Sequence, residues 1–273
     1  MLTRRDFVMF SAAGMISKVD GVMLGAQSYS FRDRSLDEAI KGYQDVGLTW
    51  VELYSGHLEP KGATREQLRD WRKKTPLTFF KEVRGKLKSA GLKLYALNYS
   101  FREDFDDEEI ARGFDIAKAL GVKYITASSN VSTAKRIDPF ARKAGIYVGM
   151  HNHSRIVANE FATPDDFSKA MAGMSKYIII NLDIGHFFAA GFDPVAFLDQ
   201  HHAQICTIHI KDRKKNQGEN MPFGQGDTPI KEVLQLLKTK RYPIPAMIEY
   251  EYKGADTVAE VRKCFEFCKQ ALA

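Results

Sequence analysis

Apolar residues recur along this chain in short continuous runs, each followed by a polar loop and an amphipathic stretch of helical spacing. Two runs, Tyr177-Ile178-Ile179-Ile180 and Ile205-Cys206-Thr207-Ile208, are uninterrupted and rich in β-branched residues, as expected of a strand buried on both faces. Further runs predict strands over 23–30, 48–54, 92–98, 122–128, 146–151 and 246–251. Helix signals lie between them. Ser35 and Glu38 have the spacing of a capping box, and Gly47 closes the helix they open. Helical patterns fill 64–73 and 78–90, and Gly91 stops the second. The carboxylates of 106–109 suit the positive end of a helix dipole, and Gly121 ends that helix. Thr163-Pro164, Asp193-Pro194 and Thr228-Pro229 each place proline at a first helical position, and a last helix spans roughly 257–272. Eight strands alternating with about eight helices give an α/β chain folded as a single (β/α)8 TIM barrel. An open doubly wound sheet is the competing reading, and the lack of a glycine-rich phosphate loop after the first strand counts against it.

Composition changes this picture little. The 273 residues, 44% hydrophobic and 27% charged, are ordinary for a soluble globular protein, and no compositional shift divides 21–273 into two domains. The net charge of +6 is dispersed. The dense runs Arg72-Lys73-Lys74 and Arg213-Lys214-Lys215 read as solvated faces, too narrow for the basic stripe that nucleic acid requires. Cys206, Cys264 and Cys268 fit neither a disulfide framework nor a thiolate metal motif and read as packing residues. In 1–20, Thr3-Arg4-Arg5-Asp6-Phe7-Val8 followed by Met9-Phe10-Ser11-Ala12-Ala13-Gly14 resembles a twin-arginine export signal, which implies a periplasmic location. Its apolar run is short and is interrupted by Lys18 and Asp20, so a cytoplasmic chain with a basic start is the alternative. The run is too short to span a membrane, and no other segment suggests a span. The sequence is compatible with a homo-oligomer and silent on the number of copies.

Chemistry collects where the strands stop. His151 and His153 share a face at the end of the fifth strand, His209 and Lys211 at the end of the seventh, and Glu249 and Glu251 at the end of the eighth. Asp183 ends the sixth, with His186 three residues into the following loop. Four consecutive strands of a closed barrel thus carry an imidazole, a carboxylate, an imidazole and a carboxylate around its mouth. His151, Asp183, His209 and Glu249 are a plausible ligand set for one divalent ion, with Mn, Zn, Co or Fe suited better than Mg by the two nitrogens. Glu52, His57 and Tyr29 are expected at the rim, in reach of substrate hydroxyls. Gly224 and Gly226 serve a tight loop, weak evidence for phosphate binding. Glu251 is expected to pair with Lys211 or Arg213.

These residues resemble the sugar-phosphate isomerase/epimerase superfamily of xylose-isomerase-like barrels, which includes ketose 3-epimerases and inosose dehydratases. The resemblance covers nearly everything after the export-like segment. Leu182-Asp183-Ile184-Gly185-His186, His209-Ile210-Lys211-Asp212-Arg213, Phe223-Gly224-Gln225-Gly226-Asp227 and Met247-Ile248-Glu249 carry it. It implies metal binding by Asp183, His209 and Glu249, substrate binding by His186, and an acidic role for Glu52. One position departs: the family's fifth strand reads Glu-Asn-His, and this chain reads His151-Asn152-His153. His151 keeps a ligand but removes one of the two carboxylates that exchange protons in the family's epimerases. Dehydratase-like members carry histidine-rich sequences there, which brings β-elimination forward.

The expected function is a metal-dependent sugar or keto-sugar isomerase or epimerase working through an enediolate. A keto-sugar or cyclitol lyase is the alternative, as is a non-catalytic sugar-binding barrel. Glu249 is the expected base, with His186 and Lys211 as proton carriers; Glu52, His153, His186 and Arg213 are expected to bind a small carbohydrate substrate. A DNA-repair endonuclease of related fold needs several metals, and seven histidines are too few for it.

Overall fold

The computed structural model describes residues 17–273; most of the export-like segment lies outside the described residues. In chain order the strands are β1 (Leu24–Gln27), β2 (Trp50–Tyr54), β3 (Lys93–Asn98), β4 (Tyr124–Ala127), β5 (Tyr147–His151), β6 (Ile178–Asp183) and β7 (Ile205–Ile210), followed by β8 (Asp212–Arg213), β9 (Asn220–Met221) and β10 (Ala246–Ile248). Eight of them close into a parallel barrel in the order β1-β10-β7-β6-β5-β4-β3-β2, while β8 and β9 form an antiparallel hairpin. The helices are α1 (Leu36–Val46), α2 (Arg65–Lys74), α3 (Leu77–Ser89), α4 (Asp107–Leu120), α5 (Val131–Ala144), α6 (Pro164–Met171), α7 (Ile184–Ala189), α8 (Pro194–His201), α9 (Ile230–Lys240) and α10 (Thr257–Leu272). This is the (β/α)8 barrel that the alternation of runs implies. Among the described residues no helix is long and apolar enough to cross a membrane.

Local chemistry starts the helices as read from the sequence. Ser35 with Glu38 and Thr163 with Asp166 form reciprocal capping boxes, and Asp193 caps α8 ahead of Pro194. Other elements differ. Thr228 does not cap α9: its hydroxyl accepts from the Arg213 amide at 3.0 Å, and the helix starts at Ile230. The helix α5 carries an internal Pro139 and begins at Asn130 without a side-chain cap, so neither usual boundary signal marks it. Arg72 is no solvated charge: it is buried between Glu59 (2.7 Å) and Glu109 (2.9 Å), a carboxylate that also holds Arg65.

Two features of the barrel position the site. Between β5 and β7, Gly149 leaves room for a side chain: a Cβ there would lie 2.5 Å from Cys206 Sγ. Cys206, Cys264 and Cys268 are all buried and unpaired, consistent with packing roles. The strand register also slips once at Val51/Glu52 and once at Ile180/Asn181. Such irregularities re-aim side chains, and Glu52 and Asn181, immediately after the slips, both reach the same buried histidine, His209.

Candidate metal centre

His151 ends β5, Asp183 ends β6, His209 is the penultimate residue of β7, and Glu249 directly follows β10. Parallel pairing sets Asp183 level with His209, and His209 level with Met247. The Glu249 amide continues the ladder by donating to the Ile210 carbonyl at 3.0 Å. Carboxyl-terminal ends of adjacent strands therefore deliver all four groups to one place. One donor atom from each of His151, Asp183, His209 and Glu249 lies within 4.8 Å of the other three, and all four residues are buried. Asp183 Oδ1 accepts from the His186 amide at 2.7 Å, which fixes the carboxylate. Its Oδ2 is buried without a hydrogen-bond partner and faces the Lys211 ammonium at 3.1 Å. Two imidazole nitrogens and two carboxylates fit a divalent transition ion.

The groups behind the cluster orient it. Glu52 is fully buried, not at the rim as expected. It accepts from Gln27 Nε2 (3.1 Å) and Thr126 Oγ1 (2.6 Å), and pairs across the barrel with His209 Nε2 (2.9 Å). His209 Nδ1 lies 3.2 Å from Glu249 Oε2 and is the nitrogen on the cluster side. A carboxylate on the far nitrogen of a ligating histidine fixes its ring and tautomer. Asn152 secures Asp183 similarly, through Asn152 Oδ1 accepting from the Asp183 amide (2.9 Å) and its Nδ2 donating to the Asp183 carbonyl (3.1 Å).

Burial and charge compete throughout. Burial disfavours an imidazolium at His209, but Glu52 and Glu249 outweigh it and hold the ring well above the usual histidine range. Burial likewise opposes ionisation of Glu249, and Lys211 and His209 overcome it, holding that carboxyl well below its ordinary value. At Asp183 burial prevails, and the carboxyl is pushed up to about 6 even though Lys211 opposes the shift. Lys211 is buried too, yet contacts with Asp183, Glu249 (2.9 Å) and Glu251 (2.7 Å) keep it firmly protonated. Burial drives His151 and His186 well below the usual range, and His153 below it.

His186 lies between two cations. It sits in the first turn of α7, not in a loop, because the Asp183 side chain caps that helix. Arg213 Nη1 approaches His186 Nδ1 at 2.7 Å, and a guanidinium can only donate. Lys211 Nζ, an ammonium that likewise only donates, faces Nε2 at 2.9 Å, so both ring nitrogens are set against cationic donors and the neutral ring, with a single lone pair in its plane, accepts from one of them at a time. Arg213 is also spent on Ser154 Oγ (2.6 Å) and the Gly218 carbonyl (2.6 Å), so it stands behind His186 and does not line the mouth.

A cavity of about 360 Å³ opens over the cluster. His151, His153, His186, Lys211, Glu249 and Glu251 line it, with Tyr29, Tyr54, Ser100, Arg102 and Ser128 on other walls. Of the residues expected at the rim, Tyr29 lines this cavity, while His57 is tied to Ser28 Oγ (2.9 Å) and the Phe31 carbonyl (3.2 Å). Sequence reasoning did not single out Tyr54, Ser100, Arg102 or Ser128. Their only sequence signal is that they follow or end β2, β3 and β4, as the other site residues end their own strands.

The closed barrel with ligand-type residues at its carboxyl-terminal mouth defines the class, and the sequence agrees. The chain belongs to the xylose isomerase-like TIM barrel family, whose sequence model matches residues 40–271. A curated relative, the L-ribulose-5-phosphate 3-epimerase UlaE of Escherichia coli, is 32% identical over 92 residues. That match covers 33% of this chain and 32% of UlaE, so the chain spans about a third of the length of this relative. The crystal structure of IolI protein with a bound zinc atom superposes with a TM-score of 0.69 at 16% identity, covering 91% of this chain and 97% of that one. The 3-keto-D-glucoside 4-epimerase YcjR of E. coli does so at 0.69 and 14% identity, covering 91% and 99%. At these identities the two structures speak for the fold.

Proposed function

We propose that this chain is a metal-dependent isomerase or epimerase of sugars or keto-sugars that works by moving a proton next to a carbonyl. The observation that carries this reading is the buried quartet of His151, Asp183, His209 and Glu249, open to a cavity of about 360 Å³. The sugar class of substrate is supported by the epimerases among the relatives. A divalent ion held by the quartet would polarise a substrate carbonyl and acidify the neighbouring C–H bond.

The protein's own groups do the rest. Glu249, kept ionised by Lys211 and His209, accepts the proton as the C–H bond breaks and its electron pair moves toward the carbonyl oxygen, giving an enediolate. The Lys211 ammonium, with the His186 ring beside it on the same cavity wall, presents a donor to an oxygen of the substrate. His153, also at the cavity wall, makes no ring hydrogen bond among the described residues, and its lowered pKa leaves it free to carry a proton in either direction. Return of the proton to carbon gives an isomer or an epimer. His151 favours a second reading: with no carboxylate at that position, the same enediolate can instead expel a β-substituent with its bonding electrons, as a lyase does.

Solvent-deuterium exchange tests the reading. The metal-loaded wild type is expected to exchange the proton next to the carbonyl of keto-sugars, and Glu249→Gln to lose that exchange. Metal content is measured on both proteins, because Glu249 serves also as a ligand. Undiminished exchange in the variant removes Glu249 as the base; no exchange by the wild type on any keto-sugar sinks the proton-transfer reading. Analysis of the products by mass separates isomerisation from elimination.

A further inference from the structure

The mouth extends well beyond the metal cluster. Two further cavities, of about 380 and 350 Å³, adjoin the central one. Tyr54, Asn98, Ser100 and Arg102 border both the central cavity and the first, while Arg102, Ser128 and His153 border both the central cavity and the second. Arg102 is the residue common to all three. It is exposed, on the loop after β3, and its guanidinium makes no hydrogen bond or ion pair among the described residues.

The surrounding charges sharpen this. Every carboxylate nearby already has a partner: Glu59 holds Arg72, Asp104 holds Arg65, Glu103 accepts from Ser132 and Asn159, and Glu160 pairs with Arg155. Donors are in surplus. Ser100 Oγ accepts from the Ser128 amide at 3.1 Å, which leaves its own hydrogen unspent. Ser128 Oγ has no partner among the described residues, and Ser129 Oγ is buried without one. A free cation beside unspent hydroxyl donors is a place for a negative oxygen.

Position completes the case. In the ring of eight, β3 stands across from β7, and β4 across from β10. The loops bearing Ser100, Arg102 and Ser128 therefore face Lys211 and Glu249 across a single cavity. The usual anion site of such barrels, at the loops after the last two strands, is closed here. The amides of Gly224, Gly226 and Thr228 already donate to the Asp212 carboxylate at 2.8, 2.9 and 3.2 Å.

We propose that Arg102, with the hydroxyls of Ser100, Ser128 and Ser129, binds an anionic oxygen group of the substrate, a phosphate ester or a carboxylate, across the mouth from the metal cluster. The identity of the rest of that ligand rests on the sugar reading above. The substrate is then an acidic sugar, with its charged end at β3 and β4 and its reacting carbon at the cluster.

The test is calorimetric titration of the full chain with ribulose 5-phosphate, glucuronate, neutral ribulose and inorganic phosphate, for wild type, Arg102→Gln and Arg102→Lys. One charge-assisted contact predicts an anionic-over-neutral preference of about tenfold or more in the wild type. That preference should collapse to about one in Arg102→Gln and partly survive in Arg102→Lys, because charge alone is retained. Whichever sugar anion loses more affinity in Arg102→Gln identifies the group, phosphate or carboxylate. Equal binding of neutral and anionic sugars by the wild type, a preference untouched by Arg102→Gln, or no binding of any anion, inorganic phosphate included, overturns the proposal. Deuterium exchange is read separately. An Arg102-dependent preference without exchange leaves the anion site standing and removes the isomerase reading, and exchange without preference does the reverse.

Discussion

Glu52→Gln is the substitution that bears most directly on how the cluster is built. The carboxylate reaches from β2 across the barrel to His209 Nε2 at 2.9 Å and takes hydrogen bonds from Gln27 and Thr126 as well. An ion would displace one proton of the His209 imidazolium; Glu52 holds the remaining proton on Nε2, so that Nδ1, on the Glu249 side, is the nitrogen that would give its lone pair to a metal. Glutamine keeps the size and one accepting oxygen, but it also brings an amide donor. That donor can point at Nε2 and drive the ring proton onto Nδ1, the ligating atom, so the wrong tautomer competes with the ion. Loss of such an orienting partner costs about 10- to 100-fold in metal affinity, or about 1.4 to 2.8 kcal/mol. Competition titration of zinc, cobalt or manganese against a chromophoric chelator measures it, with Asp183→Ala as the variant expected to lose the site altogether. The thermal midpoint of each metal-free protein separates lost affinity from lost folding. Metal bound by a folded Glu52→Gln protein as tightly as by the wild type would refute the argument that Glu52 sets the His209 tautomer.

Two further outcomes follow from the same structure. Asp183 is pushed up to about 6, so below that pH a metal must displace its proton. The Asp183 share of the affinity should then weaken by up to about tenfold per pH unit as pH falls from about 6 and be flat above it, on top of the slope from the proton that an ion displaces from His209; a slope that does not steepen between about pH 6 and 5 would contradict the raised pKa. For the metal-free protein the sign is opposite: the stability due to Asp183 is complete below the unfolded pKa of about 3.9 and is lost as pH rises through about 6. Inside the barrel, Gly149→Ala would put a methyl group 2.5 Å from Cys206 Sγ. Chemical denaturation should show a loss of about 1 to 3 kcal/mol, largely recovered when Cys206→Ala is added, and additive effects of the two substitutions would mean that the strain lies elsewhere.

The legible part of this molecule was the part governed by period and punctuation. Continuous β-branched runs gave the buried strands, Ser35, Thr163 and Asp193 gave three helix starts, and polar residues at strand ends gave the quartet that the fold brings together. What the sequence hid depends on distance across the barrel. Nothing local tells that Glu52 turns inward to His209, because a register slip at Val51/Glu52 re-aims it. Nor does anything local tell that Arg213 faces the back of His186 while Arg102, a lone charge in an acidic loop, stays free. Charge balance ties these parts together. Four carboxyl groups, of Glu52, Asp183, Glu249 and Glu251, meet only two cationic side chains among their direct contacts, Lys211 and His209. A buried excess of negative charge must be relieved by taking up either protons or cations. Asp183 is where that relief falls: burial above all, with Glu249 beside it, raises its pKa to about 6 against the pull of Lys211, and a divalent ion would take the place of the proton it favours.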